Sequence, residues 1–383
     1  MDREYDPIPM GSKNLSLTKG TVYSKGGSNA KTSQNSIDFS FILWYHILTN
    51  RNLGGTMQNS YLKVFDNLFF NVEKHDEVKE IIEQASYVLD SVITRFGEVE
   101  NEMTIGTSRI DDFVDTVIIL FIRKIMEQLD SINVLYSVSL FEPAQIILRS
   151  LIENIVGLEF ILKDHTQKRA AAYYLEHHYQ ELEKSKIYFN AESEYGKLII
   201  AQKGTDKFDE DCQKIEKKRQ ALERLIKSKA VFQETDIARK KKLDAKKKHS
   251  RNKKKVHIQW YEVCSNITSI YGLMKETGYE KYYDAIYGGL SFESHGLNAT
   301  MGMSVDKNGY SLKWIRNPEG GGTTFVLACT FSIGVLHKIY QYLGDGKSEI
   351  AEFKVFFEDF IKKRDIASHN LDMIRSTSDN GSK

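Results

Sequence analysis

The chain has 383 residues, 41% apolar and 27% charged, which is the make-up of an ordinary globular protein able to bury a sizeable core in one or two domains. The formal charge of +1 hides an asymmetry: residues 239–255 carry eleven Lys/Arg against one Asp, a net of +10 on a body of −9. Three scattered cysteines, Cys212, Cys264 and Cys329, match no disulfide or metal spacing, and the longest apolar run, Phe325 to Leu336, is too short to span a bilayer.

Only four prolines occur, and long stretches repeat apolar residues at helical spacing, so the expected fold class is all-α: a multi-helix bundle with a charged helical hairpin and at most one short β-hairpin. Residues 1–35, rich in Gly, Ser, Asn and Lys, read as a mobile arm without a signal peptide. Residues 36–100 form an N-terminal docking segment. Within it Val78, Ile81, Ile82, Ala85, Val88, Leu89 and Val92 mark an amphipathic helix over 77–97.

The core domain is expected over 105–345. Helices over 110–137 and 140–164 are its most apolar pair, and "SLFE" at 139–142 has the pattern of a capping box, with Pro143 tolerable in the first turn. Segments 166–190 and 208–246 suggest an exposed antiparallel pair with a thin apolar stripe. A second helical block runs from His257 to about Asn298 with a break at Gly278, and the Asn-Gly of "SVDKNGYSLKWI" suggests a hairpin. Helices at 323–344 and 347–371 follow, the second within a C-terminal segment, 346–383.

Several residues have the right chemistry for a site. Arg149 and Glu153 lie one helical turn apart within an apolar helix, where charge is costly unless paired. The reverse Arg-before-Glu order makes the local pair weak and calls for a third partner. Ser291 and His295 share a similar spacing. His moves protons near neutral pH, and Tyr283 and Tyr287 place hydroxyls nearby, although a lone helical His is more often structural. "RDIASH", with Arg364 and His369, has the Arg-x4-His spacing of metal-free helical ribonucleases, a pattern that also arises by chance. His177 with Glu181, and Tyr174 with His178, read as a solvated surface. The basic run could touch phosphates, but no aromatic residues interleave with it. No phosphate loop, dinucleotide-binding pattern, nucleophile elbow or zinc spacing occurs.

"AQIILRSLIENIVGLEFIL", followed after a basic stretch by "WYEVCSNITSIYGLMKETGYEKYYDAIYGGLSFESHG", resembles an uncharacterised bacterial all-helical domain family over residues 110–345. The resemblance selects Arg149, Ser150, Glu153, Trp260, Tyr283, Tyr287, Ser291 and His295, and its general build is similar to HEPN-like bundles of toxin and phage-defence systems. The family is of unknown biochemical function, so the resemblance supplies the residues and not the reaction. The leading expectation from those residues is a cytoplasmic defence or toxin-type effector acting on RNA or a nucleotide without metal or cofactor: Arg149 holds an anionic group, His295 is the general acid/base and Glu153 orients one of them. Two readings stay open beside it. One is a non-enzymatic module binding a protein or nucleic-acid partner; the other is a scaffold whose polar cluster fixes helix register. No membrane is implied, and a homo-oligomer stays open.

Overall fold

The computed structural model describes residues 72–104, 113–250, 256–290, 302–306, 309–312, 314–317, 320–344 and 347–379. The expected arm and the first part of the docking segment, residues 36–71, lie outside them. The amphipathic pattern over 77–97 is α1, Val72–Thr104, and each of its apolar positions is buried or partly buried. Next come α2 (Phe113–Ser137) and α3 (Phe141–Lys163). Near the other end of the chain, α10 (Gly321–Leu343) and α11 (Lys347–Asp379) return to them. These five helices form a closed circuit of neighbours, α1–α2–α3–α10–α11 and back to α1, around one apolar core.

Because α3 touches both α2 and α10, seven consecutive residues, Ile155 to Ile161, are buried all round its axis. Helix α10 is long and apolar enough to cross a membrane by length and composition, and 61% of its most apolar window is buried inside the protein. Its first turn sits tightly against α3. A Cβ on Gly321 would lie 2.7 Å from the Phe141 ring, and the buried Tyr136 hydroxyl donates to the Gly321 carbonyl.

The α3 start corrects one expectation. Ser139 is not a capping residue: it has a left-handed backbone (φ 58) and is buried, and the N-cap is Leu140 without a side-chain cap. Leu140 instead forms a parallel bridge to Asn317, so a distant strand-like contact sets this helix start. Pro143 does fall in the first turn, where its missing N–H costs nothing.

A second layer packs outside the ring. Helix α4 (Thr166–Tyr188) leads through α5 (Glu194–Lys203) to α6 (Thr205–Ser228) and α7 (Ala230–His249). The expected single helix over 208–246 is thus two, broken at Lys229, whose backbone is extended. Short helices α8 (Trp260–Cys264) and α9 (Ile270–Thr277) bring the chain back to α4 and α3 respectively.

Gly278 ends α9 as expected, at φ +91, a conformation that glycine adopts without strain. A 3₁₀ turn, Glu280–Tyr282, and a π-helix, Tyr283–Gly288, follow. The hairpin is present as β1 (Met303–Asp306) and β2 (Gly309–Leu312), antiparallel with Asp306 opposite Gly309.

Candidate functional site

The side chains of α3 and the tyrosine-rich stretch after Gly278 build the site. Arg149 and Glu153 point toward that stretch from the more open half of α3, with side chains 26% and 38% exposed. They are therefore less buried than the apolar helix pattern suggests. The expected third partner is Tyr287, only 7% exposed. Arg149 Nη2 donates to its hydroxyl at 3.0 Å, the hydroxyl donates to Glu153 Oε1 at 2.6 Å, and Arg149 Nε lies 3.4 Å from the same oxygen. The guanidinium also packs over the Tyr287 ring, 4.7 Å from its centroid.

Tyr283 stacks on Tyr287 with centroids 5.3 Å apart, and Tyr271 of α9 meets Tyr283 edge-on at 5.0 Å. The π-helix supplies this arrangement. Tyr287 lies four positions after Tyr283, and the wider turn lays the two rings nearly parallel, at 21°.

Electrostatically, the group holds a fixed charge and a protonated phenol. The hydrogen bond to Tyr287 raises the Arg149 pKa beyond its already high value. Burial first, then the bond to Glu153, raises the Tyr287 hydroxyl, so it remains a donor at neutral pH. Tyr261 of α8 stands close enough to feel Glu153 and Tyr287, and burial chiefly pushes its pKa up to about 12. Tyr261 carries little signal in the sequence beyond its place beside Trp260.

A second polar cluster lies further along α3 and was also missed. Glu159 is fully buried, yet one carboxylate oxygen receives the Tyr279 hydroxyl at 2.6 Å and the other the Lys338 ammonium from α10. Burial pushes this carboxyl above the usual range, against the lowering effect of both partners. A glutamate inside the buried run "IVGLEFI" was the available signal.

The remaining candidates separate. Ser150 turns toward α2, accepting from Gln128 Nε2 at 2.7 Å, and belongs to a Gln128–Asn154 network rather than to the tyrosine site. Trp260 packs on Phe160 and Tyr173, in the notch that Gly157 leaves open. Ser291 and His295 lie outside the described residues. Arg364 is bound to Asp365 and Thr330, and His369, five residues on, is exposed; no hydrogen bond joins the two. On α4, His178 rather than His177 approaches Glu181, at 3.7 Å, and packs on Tyr174. Among the described residues no three His, Cys, Asp or Glu side chains gather at metal-binding spacing.

The basic run is largely the helix α7, and it is two-faced. Arg239, Lys242 and Lys246 turn inward: Arg239 to the buried Glu176 at 2.5 Å, Lys242 to the carbonyls of Glu262 and Ser265, Lys246 to Glu262 at 2.6 Å. Lys242 thus caps the carbonyl end of α8. Lys241 and Lys248 face solvent. Residues 251–255 lie outside the described residues.

The fold and site together define an all-helical domain organised around α3 and the tyrosine stretch. A model described as a family of unknown function (DUF5677) matches residues 115–311, just over half of the chain, and the chain belongs to that family. The matched span starts within α2 and ends in β2, so it stops short of the expected limit at 345 and leaves α10 outside. No curated protein and no solved structure matches the chain.

Proposed function

We propose that the chain binds and processes RNA or a nucleotide at the Arg149–Tyr287–Glu153 site, as an effector of the toxin or phage-defence kind with a HEPN-like build. The supporting observation is the pairing of a solvent-reaching guanidinium with stacked tyrosines. Arg presents a planar fork that suits phosphate oxygens, and tyrosine faces stack on bases whatever their sequence. In this reading Arg149 holds the phosphate, Tyr271 and Tyr283 contact a base, and Glu153 fixes Tyr287 and Arg149. His295 is the general acid/base, and the chemistry needs no metal.

Fluorescence anisotropy with a labelled single-stranded RNA and a labelled adenine nucleotide tests the binding half. Arg149→Gln should weaken binding at least about tenfold, as loss of a charge-assisted contact does. Equal binding by a folded Arg149→Gln protein would rule out the phosphate role.

A second reading rests on the outward face of α7. Exposed Lys241 and Lys248 support a non-enzymatic module that holds a nucleic-acid backbone by charge alone. Retention of RNA by Arg149→Gln, together with its loss when those lysines are neutralised, would select that reading.

A further inference from the structure

The least enclosed long helix is α6, with only Phe208 and Leu222 buried among its 24 residues. Its charges are not scattered. Lys207 pairs with Glu210, Lys214 with Asp211, Arg219 with Glu216 and Glu223, and Lys218 with Glu181 of α4. Five charges have no ion-pair partner among the described residues: Asp206, Asp209, Lys217, Arg224 and Lys227. All five are exposed and fall at steps of three or four residues once Gln213 and Gln220 are included, a single stripe opposite the buried face. The stripe starts acidic and ends basic.

The geometry points to a second copy of this chain as the partner of that stripe, paired antiparallel along α6 about a twofold axis. Turned end for end, the stripe sets Asp206 against the partner's Lys227, Asp209 against the partner's Arg224 and Gln213 against the partner's Gln220. At the axis the two Lys217 side chains lie beside each other, the one like-charge contact in this register, with Glu216 of each copy already paired to Arg219. Every contact away from the axis is made twice, as an isologous interface requires. The register spans about 31 Å of helix at about 1.5 Å per residue. A parallel pairing would instead set acid against acid. The pairing is mostly charged and polar, so it belongs to the weak, salt-sensitive class of interfaces. It does not depend on the function proposed above.

Sedimentation of the full chain tests it. At about 100 µM protein and about 50 mM salt the chain should dimerise, and it should return to monomer at about 0.5 M salt. Two double variants reverse opposite halves: Asp206→Lys with Asp209→Lys, and Arg224→Glu with Lys227→Glu. Each alone should be monomeric, and an equimolar mixture should recover the dimer. Neutral versions, Asp206→Asn with Asp209→Asn and Arg224→Gln with Lys227→Gln, should each also be monomeric, with less risk to folding, which circular dichroism checks; their mixture restores only half of the ion pairs. A wild-type monomer at low salt, a dimer that survives both reversals, or reversed variants that fold but do not pair would each overturn the proposal. Loss of RNA retention in Arg224→Glu with Lys227→Glu, alongside a wild-type monomer, would make the basic half a nucleic-acid contact instead.

Discussion

Tyr279 and Tyr287 each donate a 2.6 Å hydrogen bond to a carboxylate of α3, Glu159 and Glu153 respectively. The tyrosine stretch therefore runs antiparallel along α3, fastened at both ends of the π-helix region. The two fastenings differ in depth, since Glu159 is fully buried and the Glu153 side chain is 38% exposed. Tyr287→Phe keeps the ring under Arg149 but removes the bridge, and should cost about 1 kcal/mol in urea unfolding, the usual net worth of such bonds. Tyr279→Phe should cost more, about 1–3 kcal/mol, because it leaves a buried carboxylate oxygen without its donor. Equal stability of all three proteins would mean that neither hydroxyl fastens the stretch.

Glu159 should give the fold a pH signature. Burial raises its carboxyl, so the folded state holds that proton more readily than the unfolded state. The stabilisation this brings is full below the unfolded carboxylate pKa of about 4.3 and is lost as pH rises through the raised folded value. Glu159→Gln keeps the shape and has no charge to bury; its amide oxygen can still accept from Lys338, while its NH2 can donate to the Tyr279 oxygen in place of the present bond. Its stability relative to wild type should therefore improve between about pH 4 and about pH 7. Thermal melts across that range decide the matter. A variant that falls progressively behind wild type toward neutral pH would show that the Lys338 pair outweighs burial.

The two faces of α7 should respond differently to loss of charge. Arg239→Gln leaves Glu176 buried without its cation and should destabilise by about 3–5 kcal/mol. Lys241→Gln with Lys248→Gln should stay within about 0.5 kcal/mol of wild type. If the outward face contacts nucleic acid, that double variant should also flatten the log–log salt dependence of binding by roughly 0.7–0.9 per lost contact. An unchanged slope assigns the outward lysines to solvation alone.

Most of the bundle was legible because apolar spacing reports burial directly: every stripe position of α1, the Gly278 break and the presence of a hairpin follow from local pattern, although Gly309 pairs with Asp306 as the first residue of β2 and does not lie in the turn. Ser139 misled because a capping-box pattern is local, while the start of α3 is set by its distant bridge to Asn317. The Arg149–Glu153 pair was legible as two charges in an apolar helix, but its partner Tyr287 lies 134 positions beyond Glu153, and no local rule reaches that far. Glu159 was overlooked for a related reason. Its ion-pair partner, Lys338, belongs to a helix whose contact with α3 exists only in the folded ring.

The acid–base role rests on His295 and calls for a paired measurement. His295→Gln preserves approximate size but removes the titrating ring. A catalytic role predicts a loss of about 10²–10⁴-fold in RNA cleavage or growth inhibition, with little change in melting temperature. A structural role predicts destabilisation of about 1–3 kcal/mol, with activity lost only as folded protein is lost. Full activity in a stably folded variant would end the acid–base assignment.

The closed circuit of helices also runs past the residues that match the family. The family segment ends at residue 311, yet the Gly321 carbonyl that receives Tyr136, the ammonium that meets Glu159 and the whole apolar face of α10 come later in the chain. Cut out at its family limits, the segment would carry a bare flank on α3 and an uncompensated acid in its middle.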